Sequence, residues 1–415
     1  MSIPGSWMKG HPPCIRGTNR IRSPTNTSQK QVHRSWYLRY VPLLAIFWIF
    51  CIAQTPAFAA QNTTITCGVI LPLSGDLKAT GTDILQGIEL AAAEINTKWA
   101  ASGHRIDLRV ADDQGDPQTA LSRFTEMQGD GIPVVIGSYT TALTLSMAKA
   151  TQNNPGTVLI SPQANGDALY GISPRFFQIN SPIFSLAQFT GEWLAYTSDR
   201  AVIIYSDDDY GRSVLNHIKT GLVNRAIPVT DTEPVPREGT DYSALSKRIL
   251  NGAPDAIVIV VYDSRQIPII RNLSEAGFRG QVILTESGLI DTLEKEESDL
   301  FSQFSLFTIS SYANLVPGNH TEHFISAYQE KYGQDPKKNL AGYGYDSLMV
   351  IAEAIPPECG NGNVTAELIR KGLDDSRYYG VSGPKVFDSH HAVGSAQDRW
   401  VFRDGKFVLM TTSLV

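Results

Sequence analysis

Apolar runs and amphipathic segments alternate along this chain from about residue 60 onwards. The apolar run Ile65–Leu73 comes first, and apolar positions at helical spacing follow it over Gly81–Ala100. This order recurs along the chain, which predicts βαβ units with parallel sheets and an α/β fold. The other predicted strands are Ile106–Ala111, Val134–Ile136, Val158–Ile160, Phe176–Asn180, Ala201–Tyr205, Ala256–Val261 and Val282–Leu284.

A second series of strands and helices begins near Ala201 and is about as long as the first. Two such series predict two similar lobes. Near the C-terminus, Trp400–Arg403 and Phe407–Thr411 flank Asp404-Gly405, a dipeptide that favours a hairpin turn. The other predicted helices are Pro117–Gln128 with Asp116 as its N-cap, Ala142–Thr151, one starting at Ser181-Pro182, Gly211–Val223, Tyr242–Leu250, Ser264–Gly277, Thr321–Tyr332 and Tyr343–Ala354.

Residues 1–60 have the features of a secretory signal peptide. They contain seven Lys and Arg residues and no Asp or Glu, and Val41–Ala53 is almost entirely apolar. The small-x-small sequence Ala57-Phe58-Ala59 follows. The apolar run is shorter than the roughly 20 residues that span a membrane. We therefore predict export with cleavage near Ala59, and the alternative is an uncleaved N-terminal anchor.

The charge of the remaining chain excludes some classes of partner. The whole sequence has a formal charge of −6, but residues 1–60 hold 7 of the 35 basic residues and none of the 41 acidic ones. The rest of the chain therefore carries 28 basic and 41 acidic residues, a net charge of −13. This argues against nucleic acid and anionic membrane surfaces as partners.

The roughly 355 residues that follow the predicted leader favour two domains over one.

Two cysteines, Cys67 and Cys359, lie outside the predicted leader. In an oxidising compartment they could form one disulfide, and the alternative is two separate buried thiols.

The sequence offers no clear catalytic or metal site. The acidic stretch Asp112–Asp116 lacks the further spaced ligands of a calcium loop, and the spacing of His320 with His323 matches no zinc motif. There is neither a G-x-S-x-G elbow nor a G-x-G-x-x-G loop. We predict no enzymatic activity, no cofactor and no metal.

Polar residues follow several predicted strands, where α/β proteins bind small ligands. Thr140 and Thr141 lie where a strand ends and a helix begins, so their hydroxyls and the helix N-terminus suit a carboxylate. The other candidates near strand ends are Ser74, Thr80, Gln163, Ala164, Asn165, Tyr210, Tyr262, Asp263, Glu286 and Ser287. The alternative is that Thr140, Thr141 and Asn165 only cap helices.

An ordered set of segments resembles the type I periplasmic binding proteins, in the branch that includes the leucine/isoleucine/valine-binding proteins. The resemblance covers residues from about 60 to 415. The matching segments are Leu71–Gly75, Asp83–Ala91, Val110–Pro117, Val135–Gly137, Ile160–Pro162, Ser206–Gly211, Gly239–Ser243, Pro254–Ile257, Tyr328–Gly333 and Gly342–Asp346.

The resemblance implies two Rossmann-like lobes joined by a three-stranded hinge, with the ligand in the cleft between them. The chain would cross between lobes near Asn180–Pro182, Ser310–Tyr312 and Val381–Gly383. The first lobe would then comprise residues 61–181 and 312–381, and the second lobe residues 182–311 and 382–415. A monomeric periplasmic receptor would deliver its ligand to an inner-membrane ABC permease.

The resemblance also assigns roles to single residues. Thr141 matches a carboxylate-binding hydroxyl, Tyr210 a tyrosine that points at the ligand, and Glu286 falls beside the position of an ammonium-binding acid. The implied ligand is an amino acid, branched-chain or related. Branched-chain binders commonly have an aromatic residue near Thr80, so a wider pocket for amides or urea-like ligands is an alternative. An alternative to the importer function is a receptor that reports its ligand to a signalling system.

Overall fold

The computed structural model describes residues 63–223, 229–235, 241–285, 297–311, 318–336, 338–356, 364–394 and 397–410. The strands are β1 Thr63–Leu71, β2 His104–Asp112, β3 Val134–Gly137, β4 Val158–Ser161, β5 Phe176–Gln178, β6 Ala201–Ser206, β7 Val229–Val235, β8 Ala256–Val260, β9 Gln281–Thr285, β10 Ser305–Ser311, β11 Tyr378–Gly380, β12 Gly383–Lys385, β13 Gln397–Arg403 and β14 Lys406–Leu409. The helices are α1 Lys78–Trp99, α2 Pro117–Gly129, α3 Thr141–Ala150, α4 Ile183–Thr197, α5 Asp209–Val223, α6 Ser243–Leu250, α7 Asp263–Glu275, α8 Ser298–Phe301, α9 Asn319–Tyr332, α10 Lys338–Glu353 and α11 Ala366–Asp374. Across these ranges, every helix is too short or too polar to span a bilayer.

Two main sheets organise the described residues. The first sheet has the order β2-β1-β3-β4-β5, and all its pairs are parallel. The second sheet has the order β14-β13-β10-β9-β8-β6-β7, with β6 to β10 parallel and the β13–β14 hairpin antiparallel at one edge. The parallel strands follow the same order in both sheets, so the predicted α/β fold with two similar lobes is confirmed.

Helices cover both faces of each sheet. On one face of the first sheet, Val69 of β1 packs in a core with α1, α9, α10 and α11, and on the other face Ile70 packs with α2 and α3. Side chains that alternate along β6 divide in the same way, with Ile204 facing α6 and α7 and Ile203 facing α4 and α5. We call the first sheet with α1–α3 and α9–α11 the first lobe, and the second sheet with α4–α8 the second lobe.

Local sequence signals explain several boundaries. The Asp116 carboxylate accepts a hydrogen bond from the backbone N–H of Thr119 at 2.7 Å, so the predicted N-cap of α2 is confirmed. The predicted C-terminal hairpin is also confirmed, because Arg403 pairs with Lys406 across a turn in which Asp404 and Gly405 have φ values of 53° and 79°. A type I′ turn requires such positive φ values at both central residues.

The third passage between the lobes differs from the prediction. The predicted crossing near Val381–Gly383 lies within the β11–β12 hairpin, which packs on α10 of the first lobe. Ala392 then pairs with Gln178 at the edge of the first sheet, and Val393 lies in the first lobe's core. The chain therefore stays with the first lobe through Val393 and joins the second sheet only at β13.

A buried carboxylate explains why the β11–β12 hairpin stays on the first lobe. Asp346 of α10 accepts backbone hydrogen bonds from Val381 at 2.9 Å and Ser382 at 2.8 Å, and another from the Tyr378 hydroxyl at 3.2 Å. The Lys385 ammonium lies 3.7 Å from the same carboxylate. Burial lowers the pKa of Lys385 to about 8, although the charge of Asp346 opposes this shift.

Cys67 does not fit the disulfide expectation. It is a free thiol in β1, buried in the apolar core of the first lobe, and this burial raises its pKa to about 12. Cys67 therefore agrees with the alternative of a separate buried thiol. Cys359 lies outside the described residues.

We expect Glu367→Gln to lower the melting temperature at neutral pH, with an effect that disappears in acid. The Glu367 carboxylate accepts hydrogen bonds from Arg370 at 3.0 and 3.1 Å and from Arg175 at 3.0 Å, and these arginines lower its pKa from 4.5 to about 2. A lowered folded-state pKa stabilises the protein above pH 4.5, and this contribution is lost as pH falls towards 2. Melting curves of both proteins across this range test it. The control Glu330→Gln removes an exposed carboxylate of α9 and should change the melting temperature little at neutral pH. An equally small effect of Glu367→Gln would contradict this account.

Candidate functional site

The strand order of each sheet identifies one crevice at the carboxyl ends of its strands. In the first sheet, β2 lies on one side of β1 and β3 on the other, and in the second sheet β7 and β8 lie on the two sides of β6. We call the ends of β1 and β3 the first switch point, and the ends of β6 and β8 the second switch point. In open α/β sheets, ligands bind outside the strand ends at such points.

The loop after β3 brings two hydroxyls to the first switch point. Thr140 caps α3 by accepting a hydrogen bond from the backbone N–H of Leu143 at 3.3 Å, and Thr141 accepts one from Gly166 at 3.2 Å. Both threonines are buried. Thr140 therefore caps a helix, as the alternative interpretation had it, whereas Thr141 bonds to the loop after β4. A hydroxyl that accepts such a bond can still donate its own hydrogen to a ligand oxygen.

Buried polar groups hold this loop against its neighbours. The Ser138 hydroxyl donates to Asp113 at 2.6 Å, the Ser161 hydroxyl donates to the Ser138 carbonyl at 3.3 Å, and Ser161 accepts from Ala164 N–H at 3.0 Å. Burial raises the pKa of the Asp113 carboxyl, although the bond from Ser138 opposes this shift. The chain of bonds ties the loops after β2, β3 and β4 together, so it fixes the position of the threonines.

The loop after β4 is buried along its predicted site residues, Gln163, Ala164 and Asn165. The carbonyl of Gln163 accepts a hydrogen bond from Asn180 at 3.2 Å, and the carbonyl of Ala164 accepts one from Gln178 at the same distance. Within the described chain, the side-chain oxygen of Gln163 has no hydrogen-bond partner. An acceptor buried in this way can receive a hydrogen bond from a ligand.

The two predicted residues from the first loop lie in different surroundings. Ser74 precedes a short 3-10 turn and hydrogen-bonds to Asp112 at the end of β2. Thr80 is buried in the first turn of α1. Both follow β1, so both belong to the first switch point.

Two tyrosines occupy the second switch point. Tyr210 lies in the first turn of α5, directly after β6, and Tyr262 follows β8 and is the N-cap residue of α7. Their ring centroids are 5.2 Å apart. The acidic run before Tyr210 acts as a cap, because Asp208 accepts a hydrogen bond from the backbone N–H of Gly211 at 2.9 Å.

An aromatic contact joins the two switch points. The ring of Tyr139, from the loop after β3, lies 6.1 Å from the ring of Tyr262 between centroids. The Asp167 backbone N–H also donates to Ser213 of α5 at 3.3 Å, and its carboxylate contacts His217. The two lobes therefore touch at the position where both strand orders predict a ligand. Tyr139 lies in a loop that was predicted to bind ligand, but it was not among the predicted site residues.

A buried cation that was also not among the predicted site residues lies beside these rings. Arg265 follows Tyr262 in the first turn of α7, is 7% exposed, and holds its guanidinium 5.7 Å from the centre of the Tyr262 ring. Arginine is rarely this buried, so the sequence gave no reason to expect it inside. At the end of β9, Thr285 is fully buried, and its hydroxyl has no hydrogen-bond partner among the described residues.

Three predicted site positions remain outside this geometry. Glu286 and Ser287 lie outside the described residues, and the side chain of Asp263 does as well.

In the described parts of the chain, no three His, Cys, Asp or Glu side chains come together as a metal site would need. A separate groove of about 980 Å³ lies between α1, α9 and α10, and no predicted site residue lines it.

Comparisons with known proteins place this arrangement in a family. A family model described as a periplasmic binding protein matches residues 64–403. The chain belongs to this family, as a type I protein of the Leu/Ile/Val-binding kind. Leu/Ile/Val-binding protein homolog 3 from Brucella melitensis is 27% identical over 329 residues, which cover 78% of this chain and 87% of the relative.

Solved structures share the fold of this periplasmic binding protein. The branched-chain amino acid transporter substrate-binding protein LivJ from Streptococcus pneumoniae, in complex with isoleucine, has a TM-score of 0.72 at 20% identity over 84% of this chain and 100% of its own. A solute-binding protein of an ABC transporter from R. palustris, in complex with benzoate, has a TM-score of 0.74 at 16% identity over 84% and 96%. The family is one of binding proteins, so the chain is not an enzyme.

Proposed function

We propose that this periplasmic binding protein is the solute receptor of an ABC importer and binds a small carboxylate-bearing ligand between the two switch points. The observation that carries the proposal is the contact between Tyr139 of the first lobe and Tyr262 of the second. A ligand at this position would touch both lobes only when they are closed. It would therefore stabilise the closed state over the open one.

The residues of the first switch point support a carboxylate as the recognised group. Thr140 and Thr141 lie at the N-terminus of α3, where a helix favours negative charge, and each keeps a hydroxyl hydrogen to donate. Amino acids, branched-chain or related, are the first class to test, because the relatives' names and the isoleucine complex support them.

The closed receptor would then dock on an inner-membrane permease and release the ligand to it. We propose further that the receptor is exported, cleaved near Ala59 and monomeric.

Titration calorimetry on the purified protein tests the proposal. The panel comprises branched-chain amino acids, other amino acids, simple carboxylates and amides. We expect at least one carboxylate to bind, and Tyr139→Ala to weaken it about tenfold, because a ring at the lobe contact contributes roughly 1.4 kcal/mol. The exposed control Tyr196→Ala should leave the Kd unchanged. Failure of the folded protein to bind any member of the panel would refute the proposal.

Uptake measurements separate transport from signalling. If the protein serves an importer, deletion of its gene should abolish uptake of the labelled ligand into cells. Unchanged uptake, together with a ligand response that depends on the gene, would instead identify a sensory receptor.

A further inference from the structure

An ion pair joins the two lobes outside the switch points. The Asp167 carboxylate of the first lobe contacts Nε2 of His217 on α5 of the second lobe, and the Asp167 backbone N–H donates to the Ser213 hydroxyl at 3.3 Å. An ionised carboxylate can only accept hydrogen bonds, so the histidine nitrogen is the donor. Ser213 and His217 are four residues apart and lie on one face of α5. We call these three residues the Asp167 contact.

Aromatic packing supports the Asp167 contact from the second lobe. Phe184 lies in the first turn of α4, and its ring centroid is 6.1 Å from that of His217 and 5.5 Å from that of Tyr170. Tyr170 follows Asp167 in the first lobe, and its hydroxyl donates to Asp388 at 2.9 Å. The Phe184 ring therefore touches a ring of its own lobe and a ring of the other lobe, so packing and charge act at the same place.

The Asp167 contact joins the same two elements that frame the candidate site. Asp167 directly follows the loop after β4, in which the Gly166 backbone N–H bonds to Thr141 at 3.2 Å. On α5, Tyr210 lies in the first turn at the second switch point, and His217 lies about two turns further on. A ligand between the switch points and the Asp167 contact would therefore both hold the loop after β4 against α5.

Two attachments between the same pair of elements reinforce each other. A ligand that binds closed lobes loses apparent affinity in proportion to the fraction of molecules that are open. A contact that forms only on closure raises the closed fraction, and so the affinity, without touching the ligand. The side chains of His217 and Asp167 are 29% and 41% exposed, so solvent screens the pair and its effect should be modest.

We infer that the Asp167 contact is a latch of the closed receptor, which slows the release of ligand without contacting it. The inference rests on the proposed function and adds a control of the same site. The latch has to break before the lobes separate, whereas an arriving ligand meets the open protein. Its loss should therefore raise the dissociation rate and leave the association rate nearly unchanged.

Stopped-flow fluorescence with L-isoleucine measures both rates, and the tightest-binding carboxylate of the panel above replaces isoleucine if isoleucine does not bind. We expect His217→Ala to raise the dissociation rate about three- to tenfold. The association rate should change by less than about twofold. His323→Ala is the matched control, because His323 pairs with Glu94 at 3.1 Å within the first lobe. It should leave both rates unchanged.

A double-variant cycle gives a readout that a purely structural role of His217 would not produce. Asp167→Ala should also raise the dissociation rate. His217→Ala should then add little to Asp167→Ala, because the pair is already broken. Circular dichroism and melting curves establish that all variants are folded.

Each contrary outcome is distinct. Equal dissociation rates for His217→Ala and His323→Ala, or additive effects in the cycle, would overturn the latch and leave the proposed function standing. A change confined to the association rate would also overturn it, since the contact would then not depend on closure.

Absence of binding by every carboxylate would refute the proposed function, and X-ray scattering of the ligand-free protein would then decide on the latch. His217→Ala should have a larger radius of gyration than His323→Ala, because it loses a contact between the lobes. Equal radii would overturn the inference as well.

Discussion

Asp346→Ala should lower the free energy of unfolding by about 3–5 kcal/mol, because it breaks a buried ion pair and leaves one charge without its partner. Asp346 lies 3.7 Å from the ammonium of Lys385, and both side chains are buried. The substitution also removes the acceptor for the backbone N–H groups of Val381 and Ser382. We expect the loss to appear in urea unfolding followed by circular dichroism.

Two further variants sharpen this result. Asp107→Ala breaks an exposed pair with Arg105, so it should cost at most about 1 kcal/mol. In the double variant Asp346→Asn with Lys385→Met, both charges are gone, and stability should partly recover relative to Asp346→Ala. If Asp346→Ala cost no more than Asp107→Ala, the buried pair would not be what holds the β11–β12 hairpin on the first lobe.

Gly87→Ala should destabilise the protein by about 3 kcal/mol or more, at the upper end of the cost of overpacking. A Cβ atom at Gly87 of α1 would lie 1.9 Å from the carbonyl oxygen of Ala341 in α10, and a Cβ atom at Gly344 would lie 2.2 Å from the carbonyl oxygen of Ile84. The two helices therefore approach each other backbone to backbone. Neither backbone can move aside cheaply, so the helices must separate.

Gly129→Ala is the control for this prediction. Gly129 ends α2, and a Cβ atom placed there would have no neighbour within 4 Å. Alanine is the better helix former, so we expect this variant to be unchanged or more stable by up to about 1 kcal/mol. A loss for Gly129→Ala as large as that for Gly87→Ala would mean that helix packing is not the cause. Melting temperatures of the two variants make the comparison.

Most of the fold could be predicted because most of its elements carry a local signal. Long apolar runs such as Ala256–Val261 and helices with capping residues, such as the one after Asp116, were found within one or two residues. The elements that were not predicted lacked such a local signal. Strand β10, Ser305–Ser311, mixes Ser and Thr with Leu306, Phe307 and Ile309 and has no continuous apolar run, and in the structure it lies between β9 and β13.

The candidate site shows the same division. The pattern of strand ends selected Thr140, Thr141 and Tyr262, the family resemblance selected Tyr210, and the structure brings all four to the two switch points. Arg265 was missed because one charged residue in a helical pattern is normally exposed. Whether these residues bind the ligand stays a prediction.

The sequence alone determined the alternation of strands and helices, the pairing of two similar series and the positions of the polar strand ends, because each depends on periodicity and on neighbours within a few residues. Only the tertiary structure decided which residues meet across the chain. It kept residues up to Val393 with the first lobe, buried Arg265 beside Tyr262, and brought Tyr139 against the second lobe. These outcomes depend on packing between segments that are distant in sequence, and no local pattern encodes such packing.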